Sequence, residues 1–97
     1  MMAENSAQEL AEIRRKFKEL LVSELNLEGV KAEDLKDNTV LFGEGLGLDS
    51  LDAVEIVVLL QRHFGVDVRD MAEGQKVFYS IETITNFIQE ARKAKGS

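Results

Sequence analysis

The sequence predicts an all-α protein, a small four-helix bundle with three long helices and a short third one. Two observations carry this. Apolar side chains recur at helical spacing in three separate segments, and start and stop signals bracket them. No repeat or low-complexity tract interrupts the pattern. A chain of 97 residues is one small domain with room for a single modest core. The domain is expected to span 1–97, with its core over about 7–92 and short flexible tails at both ends.

The first helix is predicted from about Ala7 to Leu25. Ser6-Ala7-Gln8-Glu9 reads as a capping box, in which serine and glutamate side chains each satisfy an unpaired amide. Leu10, Ile13, Phe17, Leu20, Leu21 and Leu25 follow as one buried stripe, and Asn26 and Gly29 are the expected terminators. Residues 27–48 form a long connection with apolar anchors from Leu27 to Leu48, among them Leu35, Leu41 and Phe42. It is read as a loop pinned along the bundle, with a helical turn near Glu33 to Leu35.

The second long helix is predicted over Ser50 to Phe64, with Gly65 as its stop. Its apolar side chains divide into two adjoining stripes. Ala53, Ile56, Val57, Leu60 and Phe64 form one; Leu51, Val54 and Val58 form the other, which is either extra core or an exposed docking strip. Asp70-Met71-Ala72-Glu73 is read as the cap of the short third helix, which Gly74 weakens by about 1 kcal/mol relative to alanine. The last helix begins after Ser80, places Ile81, Ile84, Phe87, Ile88 and Ala91 on one face, and is expected to fray from Lys93 onward.

Composition excludes several classes. The hydrophobic fraction of 44% argues for a folded chain rather than a disordered one. No run approaches the ~20 apolar residues of a membrane span. Met1 to Ser6 has neither a basic region nor an apolar core, so no secretory signal is read and a cytoplasmic location is expected. Cysteine is absent, which rules out disulfides and thiolate metal sites.

The net charge of −6 is uneven. Residues 32–58 hold seven acids (Glu33, Asp34, Asp37, Glu44, Asp49, Asp52, Glu55) and one base, Lys36, which accounts for the whole imbalance. Arg14, Arg15, Lys16 and Lys18 compensate on the first helix. An anionic face of this kind steers basic protein partners and repels nucleic acid.

The acids surround Gly47-Leu48-Asp49-Ser50-Leu51, a serine between a glycine-rich loop and an amphipathic helix with no base beside it. Another enzyme can reach such a hydroxyl, but it is poorly equipped to act alone. Asp49 is a good N-cap; if it caps, Ser50 takes the first helical position with its hydroxyl free. The alternative is that Ser50 is itself the cap. Gly43, Gly45 and Gly47 make no dinucleotide fingerprint, because Leu48 stands where the third glycine belongs, and no phosphate-loop lysine follows. Leu48 and Asp52 occupy the glycine positions of a nucleophile elbow. His63, the only histidine, is three to four helical turns from Ser50 and too far to be its base. The acids lack calcium-loop spacing, so no metal site is expected.

From Asp49 onward, Asp-Ser-Leu-Asp-Ala-Val-Glu-Ile-Val, continued by Phe64-Gly65-Val66 and flanked by helical segments, resembles the modification site of acyl carrier proteins. The resemblance covers about Leu10 to Ile88. It implies that Ser50 carries 4′-phosphopantetheine, delivered from coenzyme A by a phosphopantetheinyl transferase (a holo-carrier synthase), so that the chain is a phosphoprotein. It implies a substrate shuttle rather than an enzyme, a monomer that carries acyl thioesters between the acyltransferases and ketosynthases of fatty acid biosynthesis or a related lipid or polyketide pathway. Asp49, Leu51, Asp52, Val54, Glu55 and Val58 would be the recognition surface. Ile56, Leu60, Phe64, Ile84 and Ile88 would shelter the acyl chain, since burial removes about 0.8 kcal/mol of unfavourable hydration per methylene. A phosphodiester on Ser50 would lie at the positive end of the helix dipole, a gain of about 0.3–1 kcal/mol when exposed.

The sequence departs from the commonest fatty-acid-synthesis members in two places. Gln61-Arg62-His63 stands where consecutive acids precede Phe-Gly, and the loop Val68-Arg69-Asp70-Met71-Ala72-Glu73-Gly74 lacks proline and is followed by Phe78 and Tyr79. These departures point to a specialised carrier with its own partners. An aminoacyl or peptidyl carrier is a near alternative; a small helical interaction module without a prosthetic group is the rival from another class.

Overall fold

In the computed structural model, which describes residues 2–68 and 76–96, three helices carry the fold: α1 (Met2–Glu24), α2 (Ser50–Phe64) and α3 (Ile81–Gly96). Among the described residues there is no strand, only two isolated bridges, Val40 with Ser80 and Phe42 with Leu48. The expected short third helix at Asp70 to Gly74 lies outside the described residues, so three of the four predicted helices are present in the described part.

α1 starts earlier than its capping signal implied. Ser6 lies inside the helix rather than at its cap, because Met2, Ala3 and Glu4 are good helix formers and extend it N-terminally. Ile13, Phe17 and Leu21 are buried, with Leu20 and Leu25 packed beside them. The helix ends as predicted: Asn26 adopts φ 52° and the Leu27 N–H bonds to the Val22 carbonyl at 3.1 Å. Asparagine tolerates this left-handed conformation better than most residues.

The connection from α1 to α2 is pinned along its length. It contains a 3-10 turn at Ala32–Asp34, close to the predicted one, and drives Leu35, Leu41 and Leu48 into the core. Its backbone is also stitched to the start of α3. The Leu41 N–H donates to the Tyr79 carbonyl (3.1 Å), the Ile81 N–H to Thr39 (3.1 Å) and the Glu82 N–H to Asp37 (2.6 Å). These bonds satisfy polar groups that a structureless loop would leave unpaired against the core.

α2 has the predicted bounds, and Gly65 stops it at φ 66°. Ile56, Leu60 and Phe64 face inward as expected, but so does Leu59, which the two-stripe division omitted, while Ala53 and Val57 are only partly covered. The buried face is therefore rotated toward Leu59. α3 opens on a reciprocal pair: the Ser80 N–H donates to Thr83 Oγ1 (2.9 Å) and the Thr83 N–H to Ser80 Oγ (3.2 Å). It remains helical through Lys93 and Lys95 to Gly96, past the point where fraying was expected. Ile81, Ile84 and Ile88 join the α1 and α2 side chains in one core.

Candidate functional site

The site is built from the loop upward. Leu48 is buried and pairs with the Val40–Phe42 segment: the Leu48 N–H donates to Leu41 (3.1 Å) and the Leu46 N–H to Val40 (2.9 Å). Gly47 bends the chain at φ 74°. At Gly45 a β-carbon would overlap the Val40 carbonyl, so only glycine fits there. The glycine-rich segment is thus a shaped turn that fixes Asp49 and Ser50 one and two residues after the buried Leu48.

Asp49 caps α2 from an extended conformation, φ −119° and ψ −172°. Its Oδ1 accepts from the Leu51 N–H (3.0 Å) and the Asp52 N–H (3.1 Å). Asp52 returns the interaction, its Oδ2 accepting from the Asp49 N–H at 3.0 Å. Of the two readings of Ser50, the capping alternative is thereby removed. Ser50 is the first helical residue, exposed, and its hydroxyl has no hydrogen-bond partner among the described residues.

The second stripe is surface. Leu51 is 75% exposed, Val54 57% and Val58 44%, with Glu55 exposed beside them. The residues expected to shelter an acyl chain, Ile56, Leu60, Phe64, Ile84 and Ile88, belong to the single core cluster. Among the described residues, surface cavities open along α1, and one of them reaches Phe64. One of about 640 Å³ runs between α1 and the 3-10 turn beside Leu10 and Leu35, and one of about 240 Å³ opens beside Phe64, Ile13 and Lys16.

The acids do not form one free face. Asp37 is engaged by Lys18 Nζ (3.1 Å) and Arg14 (3.4 Å), so α1 cations hold the connection instead of only offsetting its charge. Arg14 also donates from Nε to Thr85 Oγ1 (3.0 Å) and from its guanidinium to Asn86 Oδ1 (3.0 Å). Thr85 is fully buried and donates to the Ile81 carbonyl at 2.7 Å. The sequence offered no signal for this network, whose members lie up to 72 residues apart. The same holds for Lys16, whose Nζ sits 5.4 Å from the centre of the Phe64 ring.

His63 lies at the far end of α2, as expected. Its Nε2 is 3.5 Å from Glu24 Oε1 on α1, without the geometry of a hydrogen bond, and Arg62 reaches the same oxygen at 3.8 Å. Among the described residues no cluster of three acid, histidine or cysteine side chains is placed to hold a metal, and no helix is long and apolar enough to cross a membrane.

Residues 15–75 match the family described as the phosphopantetheine attachment site. The chain belongs to that family. Its covalent cofactor is therefore phosphopantetheine, and it is a carrier protein in the sense the family defines. The residues present fit the group. Within the matched segment the serines are Ser23 and Ser50. Ser23 lies in the last turn of α1, at the negative end of a helix dipole, whereas Ser50 lies at the positive end of α2.

Proposed function

We propose that this phosphopantetheine-attachment protein is an acyl carrier protein and that Ser50 bears the arm. The observation that carries this reading is the capping arrangement: Asp49 takes the Leu51 and Asp52 amides of the first turn, which leaves Ser50 exposed at the positive helix end with its hydroxyl unbonded among the described residues. In the modification step a partner transferase supplies coenzyme A. Ser50 Oγ loses its proton to a base of that transferase and forms a phosphodiester, while the adenosine bisphosphate half of coenzyme A leaves. Ser50 then holds an anion where first-turn dipoles favour one. The group supplies a terminal thiol, which this cysteine-free chain lacks.

The carrier reading also fits what is missing around Ser50. The only histidine lies thirteen residues on, about 20 Å along the helix, and the neighbouring carboxylates of Asp49 and Asp52 are engaged by backbone amides; on this reading the serine is a substrate rather than a catalyst. Leu51, Val54 and Val58 form the docking strip, with Asp49, Asp52 and Glu55 setting its charge. Sheltering an acyl chain among Ile56, Leu60, Phe64, Ile84 and Ile88 requires α2 and α3 to part, because these side chains share one closed core. Fatty acid or specialised lipid synthesis is the pathway class that such a cargo serves.

The test is intact mass after incubation with coenzyme A and a broad-specificity transferase. One phosphopantetheinyl unit is expected on the wild type and none on Ser50→Ala. Unchanged labelling of Ser50→Ala would overturn the assignment, and loading that accepts amino acids but no acyl groups would move the chain to the aminoacyl carriers.

A further inference from the structure

Four and eleven residues separate Arg62 from Val58 and Leu51, which puts it on the same side of α2 as the exposed strip. Its side chain is 67% exposed. The strip is therefore bipolar. It starts with the carboxylates of Asp49 and Glu55, passes over Leu51, Val54 and Val58, and ends on a guanidinium about 20 Å from Asp49.

Resting on the carrier reading above, we propose that this face fits a partner enzyme of matching polarity: basic groups opposite Asp49 and Glu55, an apolar seat in the middle, and a carboxylate opposite Arg62. The uniformly basic patch that an all-acidic helix would attract meets a like charge at Arg62. A partner carboxylate there instead fixes which way α2 lies, so that Ser50 is delivered to the correct end of the docking groove. Glu24 holds Arg62 at only 3.8 Å and both side chains are substantially exposed, so exchanging Glu24 for a partner's acid sacrifices little, since exposed pairs are worth about 0–1 kcal/mol. A second copy of the chain, packed antiparallel, would satisfy the same charges. It would have to form on three exposed apolar side chains, well below the roughly 1,200–2,000 Å² of a stable interface, and it would cover the approach to Ser50.

The experiment uses the holo-carrier, with the arm on Ser50 first verified by mass. The probe is a malonyl-loading transferase with a basic docking patch, together with a set of its variants in which each patch lysine or arginine is changed to glutamate in turn. Loading rates are measured for wild-type carrier and for Arg62→Glu, at low and high salt. One patch position should invert the preference: its glutamate variant loads wild type about two- to fivefold faster than Arg62→Glu, and the parent enzyme shows the reverse. Salt should shrink both differences. Glu24→Gln, which removes the intramolecular partner, should enlarge the wild-type advantage. If no position couples to residue 62, or if Arg62→Glu and Glu24→Gln alter only the melting temperature, the proposal falls while the attachment reading stands. A dimer at micromolar concentration that Arg62→Glu abolishes would also overturn it. Failure of the arm to attach at all would instead be a failure of the carrier reading.

Discussion

Replacing Asp49 separates two roles that the site combines. Its Oδ1 holds the Leu51 and Asp52 amides at 3.0 and 3.1 Å, and its own N–H is held by Asp52 at 3.0 Å. Asp49→Ala removes the acceptor and leaves two first-turn amides to water. Loss of such a cap costs about 0.5–2 kcal/mol, typically near 1. In a domain of this size each 1 kcal/mol moves the melting temperature by roughly 4–8 °C. Asp49→Asn keeps an oxygen at the same place and removes only the charge, so its melting temperature should stay within about 2 °C of wild type on the same scale. Both variants should slow modification by the transferase, because both lose the negative charge beside Ser50. The assay pairs thermal unfolding followed by circular dichroism with the rate of phosphopantetheinyl transfer. If Asp49→Ala melts like the wild type, then Ser50 can take over the cap, its hydroxyl is not reserved for chemistry, and the argument for the site fails.

Gly45→Ala should destabilise the fold by about 1–3 kcal/mol, as overpacking does, because the new β-carbon meets the Val40 backbone rather than a movable side chain; a melting temperature equal to wild type would show that the turn relaxes freely. Thr85→Val should cost about 1–3 kcal/mol by leaving Arg14 Nε without its buried acceptor, while Thr85→Ser should recover most of it in a denaturant titration. Val58→Glu should leave helical content and melting largely intact, since the side chain is 44% exposed, yet lower the rate of modification or acyl transfer; unfolding of this variant would return Val58 to the core.

What the sequence made legible was whatever local chemistry decides. The bounds of α2 follow from Asp49 and Gly65, one an oxygen-bearing cap and the other a residue free to adopt positive φ. The exposed Ser50 follows from the first of these. The start of α1 was misread because Ser6 and Glu9 satisfy a capping pattern while the residues before them are equally content in a helix, and nothing local chooses between the two. Leu59 was missed for a different reason. Helical periodicity reports that a face is apolar but not how far neighbouring helices wrap around it, and α2 meets both α1 and α3. The Arg14 network was invisible because its partners, Asp37, Thr85 and Asn86, come from elements that only the tertiary fold brings together.

The same distinction explains how an acidic chain keeps a usable face. The carboxylate that holds the connection in place has cationic partners: Asp37 is taken by Arg14 and Lys18. The carboxylates nearest Ser50 are satisfied differently. Asp49 and Asp52 accept from backbone amides, which stabilises them without cancelling their charge as a lysine would. Capping therefore leaves the negative potential at the head of α2 intact, and the cations of α1 are spent on the opposite problem of fixing the connection and α3. A lysine placed against Asp49 would have satisfied no first-turn amide, set a cation at the positive end of the helix and cancelled the negative potential beside Ser50. Backbone capping does both jobs with one side chain, which is why the charge and the stability of this site can be removed separately.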